Sequence, residues 1–99
     1  MNESATLIHV WDIDPQEEAA GVGSLDEMFG GLAEDPGFVS ARVLQSEDRT
    51  SIATVVEMRS VEDRRRIEQL PDVRETLDHL HGAANIVLRL YHQVRAFPA

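Results

Sequence analysis

The chain has no cysteine and no lysine. The first absence excludes disulfides, thiolate nucleophiles and any metal or iron–sulfur site built on thiolates. The second excludes a side-chain Schiff base, and with it the usual anchor for pyridoxal chemistry. Aromatic residues are scarce, with one tryptophan, one tyrosine and three phenylalanines among 99 residues. No apolar run approaches the roughly 20 residues that span a bilayer, and no charged leader precedes an apolar stretch. A cytoplasmic protein is the expectation. The glycine fingerprints of phosphate and dinucleotide sites and the nucleophile elbow are also missing.

Positive charge is short as well. Nine arginines stand against 18 acidic residues, a net charge of −9. A surface of that sign repels phosphate backbones and anionic lipid, which argues against nucleic acid and membrane partners. The one basic run, Arg64-Arg65-Arg66, is set among Glu62, Asp63 and Glu68 and reads as a solvated helix face.

What is present is an apolar share of 42% in a length suited to one domain covering residues 1–99. Residues 5–14 alternate as a half-buried strand, with Leu7, His9, Trp11 and Ile13 on one face. Asp14-Pro15 offers a helix start that Gly21 and Gly23 weaken. Ser24 and Glu27 match a capping box, so a firm helix is expected over about 24–34 after a loose first turn. Asp35-Pro36-Gly37 ends it. Residues 38–46 and the β-branched 51–59 read as two strands around the polar turn Glu47-Asp48-Arg49. Ser60 caps a further helix that Pro71 interrupts and restarts, with Val73, Leu77 and Leu80 as its apolar stripe up to Gly82. Residues 85–97 form a long final strand.

The order β-α-β-β-α-β is the ferredoxin-like split βαβ arrangement, an α+β fold with both helical segments on one face of an antiparallel sheet. The opposite face carries Ile8, Val10, Val55, Val87 and Tyr91, too apolar for water. A second copy of the chain covering that face, in a homodimer, is the simplest remedy.

At this point three stretches matter together: "TLIHVWDIDP", the hairpin "PGFVSARVLQSEDRTSIATVVEMRS" and the broken helix containing "LPDVRETLDHL". Over about residues 5–95 the chain resembles the antibiotic biosynthesis monooxygenase family of dimeric α/β barrels. The resemblance implies two protomers packed sheet to sheet, each with a cleft between its own sheet and helices. It implies a small monooxygenase acting on a hydrophobic, aromatic, anthrone-like or phenolic polyketide intermediate. No cofactor would be needed, with molecular oxygen as co-substrate. Polyketide cyclases and barrels that only bind small ligands belong to the same superfamily, and both readings stay open.

Family oxygenases carry an asparagine on the first strand and a tryptophan before the Arg/Lys-Ser that closes the third. His9 and Met58 stand at those places here. The resemblance therefore puts His9 in the cleft as the proton acceptor, since imidazole titrates near neutral pH. Trp11 and Met58 become pocket residues, and Leu25, Phe29 and Leu77 the helical wall. Plain core packing is the alternative for each of these. Haem-binding relatives use a histidine on the last helix. Aligning on Pro71-Asp72-Val73 puts Asp78 in its place, with His79 one residue away as a substrate contact. His79 and His81, two apart on a helix, form no chelate, so no metal is expected. On the last strand Tyr91 and His92 are further acid–base candidates on opposite parities, and either parity gives a usable face.

Overall fold

Strand β1 (Ala5–Asp12) buries every second residue, as its alternation requires. It lies between β3 (Ser51–Met58) and β4 (Asn85–Tyr91), and β2 (Phe38–Gln45) pairs with the outer edge of β3. The sheet order is β2-β3-β1-β4, antiparallel throughout, the ferredoxin-like order. Helix α1 (Glu18–Leu32) follows β1, and α2 (Val61–Glu68) and α3 (Pro71–Ala83) follow β3. The structure is a computed structural model describing residues 4–83, 85–91 and 93–98; over 81–83 and 85–90 it describes the backbone alone. Among the described residues no helix is long and apolar enough to cross a membrane.

Two expectations change. Helix α1 begins at Glu18 rather than at Ser24, and its first turn is held by tertiary contacts that no capping pattern reveals. The buried Glu18 carboxylate accepts hydrogen bonds from Arg49 Nη2 (2.9 Å) and Gln45 Nε2 of the β2–β3 hairpin. Gly21, expected to weaken the helix, lets it approach the sheet: a Cβ there would lie 3.1 Å from Ile13 Cδ1 and 3.4 Å from that of Ile52. The last strand ends at Tyr91 instead of running to residue 97, and residues 93–98 follow without regular structure.

The helices pack on one face in two apolar clusters. One gathers Leu7, Leu32, Val56, Met58, Ile67 and Val73; the other Trp11, Ile13, Leu25, Ile52 and Leu80. Met28, Phe29 and Leu77 pack against both. A polar staple fixes the turn before β2 to the start of α2. Ser60 caps α2 by accepting the Asp63 N–H at 3.1 Å. The Asp63 carboxylate in turn accepts from Arg59 Nε (2.9 Å) and Nη2 (3.0 Å) and from Ser60 Oγ (2.7 Å). Arg66 ties the group to Asp35, whose Oδ1 accepts the Gly37 N–H at 2.8 Å. Gly37 is needed here because a Cβ would stand 2.6 Å from Asp63 Oδ1.

The staple has a pH signature. Hydrogen bonds from Arg59 and Ser60 hold Asp63 at about 2, and those from Arg66 and the Gly37 N–H hold Asp35 at about 2, both from 3.8. The unfolded chain therefore binds more protons than the native one as pH falls below the ordinary carboxylate range. The stabilisation is complete above about pH 4 and drains away as pH drops toward the folded pKa values. Thermal unfolding across pH should show this loss in the wild type and less of it in Asp63→Asn, which starts out destabilised. Gly37→Ala should cost about 1–3 kcal/mol at neutral pH, because the new methyl displaces the carboxylate from its donors.

Candidate functional site

The two apolar clusters meet along a seam in the middle of the sheet, and the seam is polar. His9 of β1 and Thr54 of β3 are direct register partners, both facing the helices and both buried. Thr54 Oγ1 stands 3.4 Å from His9 Nδ1. Two residues along β1 on the same face, the Trp11 ring stacks on the imidazole, with centroids 5.0 Å apart and planes within 2°. Strand periodicity places the rings side by side, and dispersion between their faces favours the parallel arrangement.

Trp11 is 2% exposed, and its indole Nε1 finds no hydrogen-bond acceptor among the described residues. A buried donor without an acceptor costs about 1–3 kcal/mol, so a folded protein rarely keeps one without a use for it. Above the seam lies a narrow cavity of about 20 Å³, room for one water-sized sphere. His9, Trp11, Thr54 and Met58 line it from the sheet, Met28 and Phe29 from α1, and Leu77 from α3. Glu68 of α2 reaches its edge, neutralised by Arg64 Nη1 at 2.8 Å. The remaining lining is aliphatic. The His9 and Trp11 rings thus border a low-dielectric space, where each polar contact counts for more than in water.

Of the residues expected at the site, the structure gathers His9, Trp11, Met58, Phe29 and Leu77 around this cavity. Leu25 does not reach it. One helical turn before Phe29, it is fully buried against Trp11, Ile52 and Leu80 and belongs to the core. His79 lies two residues beyond Leu77, hence on the other side of α3, exposed in an outer cleft with Glu27, Asp72 and Glu75. Tyr91 pairs with Thr6, on the parity of Ile8 and Val10, and is 47% exposed on the face away from the helices. It cannot act at His9 within one protomer. His92 lies outside the described residues. Thr54 and Met28 were not singled out from the sequence. The signal for Thr54 was a hydroxyl among Ile52, Val56 and Met58 on the buried parity of β3.

No protein-family model matches the chain, and no curated protein matches it either. Solved structures do. SnoaB, a cofactor-independent oxygenase from Streptomyces nogalater, is 17% identical with a TM-score of 0.81, over 98% of this chain and 99% of that one. Rv0793 from Mycobacterium tuberculosis is 14% identical with a TM-score of 0.84, covering 95% and 98%. A candidate antibiotic biosynthesis monooxygenase from Nitrosomonas europaea is 12% identical with a TM-score of 0.82, covering 95% and 93%. The chain shares the fold of these structures. At these identities the likeness speaks for the fold, and the chemistry has to be argued from the cavity. Among the described residues no group of histidines and carboxylates could hold a metal ion.

Proposed function

We propose that this chain is a cofactor-independent monooxygenase that oxidises an aromatic, anthrone-like or phenolic substrate of polyketide type with molecular oxygen. The observation that carries the reading is the buried Trp11 N–H, without an acceptor among the described residues, stacked beside His9 at the wall of a mostly apolar cavity. A flat hydrocarbon skeleton bearing an oxygen suits such a lining, with the oxygen accepting from the indole. SnoaB, of the same fold, is an oxygenase that works without a cofactor.

The chemistry closes without an external reductant. Imidazole removes a proton from an acidic methylene, and the Trp11 N–H stabilises the charge that develops on the adjacent oxygen. The carbanion adds to O₂ by electron transfer and recombination, forming a carbon–oxygen bond. The substrate peroxide anion takes back the proton from imidazolium, and loss of water from the hydroperoxide leaves a carbonyl. The methylene supplies all the electrons that O₂ accepts. Thr54 is a positioning residue: when His9 Nδ1–H donates to its hydroxyl, the second ring nitrogen carries the basic lone pair. The cavity is too small for a polycycle as it stands, so binding has to displace the Met28 and Phe29 side chains.

The same reading includes a homodimer. The sheet face away from the helices exposes Val10 and Tyr91, with Leu44 on β2, and beyond the strand Val94 and Phe97 are 76% and 85% exposed. Apolar surface so concentrated supports burial against a second copy. Sedimentation should give a dimer at micromolar concentration. Val10→Glu should weaken it by about a hundredfold or more through a buried unpaired charge. A monomeric wild type would contradict the dimer.

Oxygen uptake with anthrone tests the activity. His9→Gln preserves volume and a hydrogen-bonding group opposite Thr54 but cannot serve as the base. Turnover per folded molecule should fall about 10²–10⁴-fold while the melting temperature moves little. Product formed equally well without oxygen would point to a cyclase or isomerase. Saturable binding with no turnover would leave a ligand-binding barrel.

A further inference from the structure

Met28 occupies a position that the chemistry above leaves without a role. It lines the narrow cavity, and it also lines two wider clefts on the protein surface. One, of about 430 Å³, lies between α1 and α3. The other, of about 260 Å³, lies between α1 and the junction of α2 with α3. Met28 is common to all three, so its side chain stands as a partition between the cavity that Trp11 borders and the two clefts. An unbranched thioether with several rotatable bonds changes shape at little expense. The neighbouring partition residues, Leu32 and Val73, are buried in the core and less able to move.

The charge outside the partition is of one sign. Glu27 and Asp72 line both clefts, and Glu75 lines the larger. Among the described residues His79 is the only basic side chain lining either. Arg74, the nearest arginine along α3, is turned to Gln69, with Nη1 donating to Oε1 at 2.9 Å. Carboxylates gathered around a recess focus a negative potential along the path into it, which slows anions and favours cations.

We propose that ligands reach His9 and Trp11 past Met28 through this acidic mouth, and that Glu27, Asp72 and Glu75 select uncharged or cationic aromatic ligands over anionic ones. The proposal rests on the cavity being the ligand site. It narrows the substrate class: an aromatic carboxylate or phosphate is rejected at the mouth, while a neutral phenol or quinone passes. Any upstream reaction that supplies the substrate must then deliver it without an ionised carboxyl group.

Two isomeric hydroxynaphthoquinones provide the test. Juglone is uncharged at neutral pH and lawsone is an anion, and both quench tryptophan fluorescence. Trp11 is the only tryptophan, and with no cysteine or lysine in the chain the usual targets of quinone alkylation are absent. Stopped-flow quenching should show juglone associating about tenfold or more faster than lawsone at low salt. In Glu27→Gln/Asp72→Asn/Glu75→Gln, and in the wild type at high salt, that ratio should collapse toward one. Met28→Phe should slow association and dissociation of juglone together, and Met28→Ala should speed both. Undiminished preference for juglone in the charge variant would overturn the mouth, as would Met28 variants with unchanged rates. Failure of both quinones to quench Trp11 would overturn the cavity reading itself and this proposal with it.

Discussion

The pairing of His9 with Thr54 across β1 and β3 is the constraint on which the rest of the site depends. It puts two polar side chains at the centre of a sheet face that is otherwise aliphatic. A buried imidazole and hydroxyl cannot be packed as methyl groups are, because each needs a partner in a defined direction. The apolar residues consequently gather on either side of the pair, as two clusters rather than one. The narrow cavity lies along the boundary between them, and the stacked Trp11 ring extends that boundary toward Ile13.

The helical layer is fastened at its ends and loose above the seam. At one end Glu18 binds the start of α1 to the β2–β3 hairpin through Arg49 and Gln45. At the other, Asp63 and Asp35 lock α2 to the turn before β2 through Arg59 and Arg66. Between these anchors, over the cavity, α1 and α3 meet through Met28, Phe29 and Leu77, which are only partly buried. Directional charged contacts hold the frame, while adaptable apolar side chains close the site. A ligand larger than the resting cavity can be admitted by moving those side chains without disturbing either anchor.

Much of this was legible in the sequence, for identifiable reasons. Strict alternation in β1 placed His9 and Trp11 on the buried face, because a period of two leaves no other choice. Ser60 announced the start of α2, and Pro71 announced α3. The start of α1 was not legible, because it depends on Glu18 meeting a hairpin some thirty residues away and on Gly21 admitting the sheet, both tertiary facts. The last strand was ambiguous because each of its parities carries an acid–base candidate, Tyr91 on one and His92 on the other; only its register against β1 sets Tyr91 apart from the cavity. Leu25 and Phe29 share one helical stripe, and periodicity does not tell depth within a stripe. Thr54 escaped notice because a threonine in a β-branched strand looks like any other strand former.

The central claim is that the Trp11 N–H is held ready for an oxygen atom of an aromatic ligand. With a single tryptophan, the protein gives a single indole N–H resonance in a ¹⁵N-correlated NMR spectrum. Titration with fluorenone and with fluorene, which share a ring system but differ by the carbonyl oxygen, reads that proton directly. A hydrogen bond to the ligand predicts a downfield proton shift with fluorenone and little displacement with fluorene. An indole resonance that responds identically to both, at concentrations where both are bound, would contradict the account.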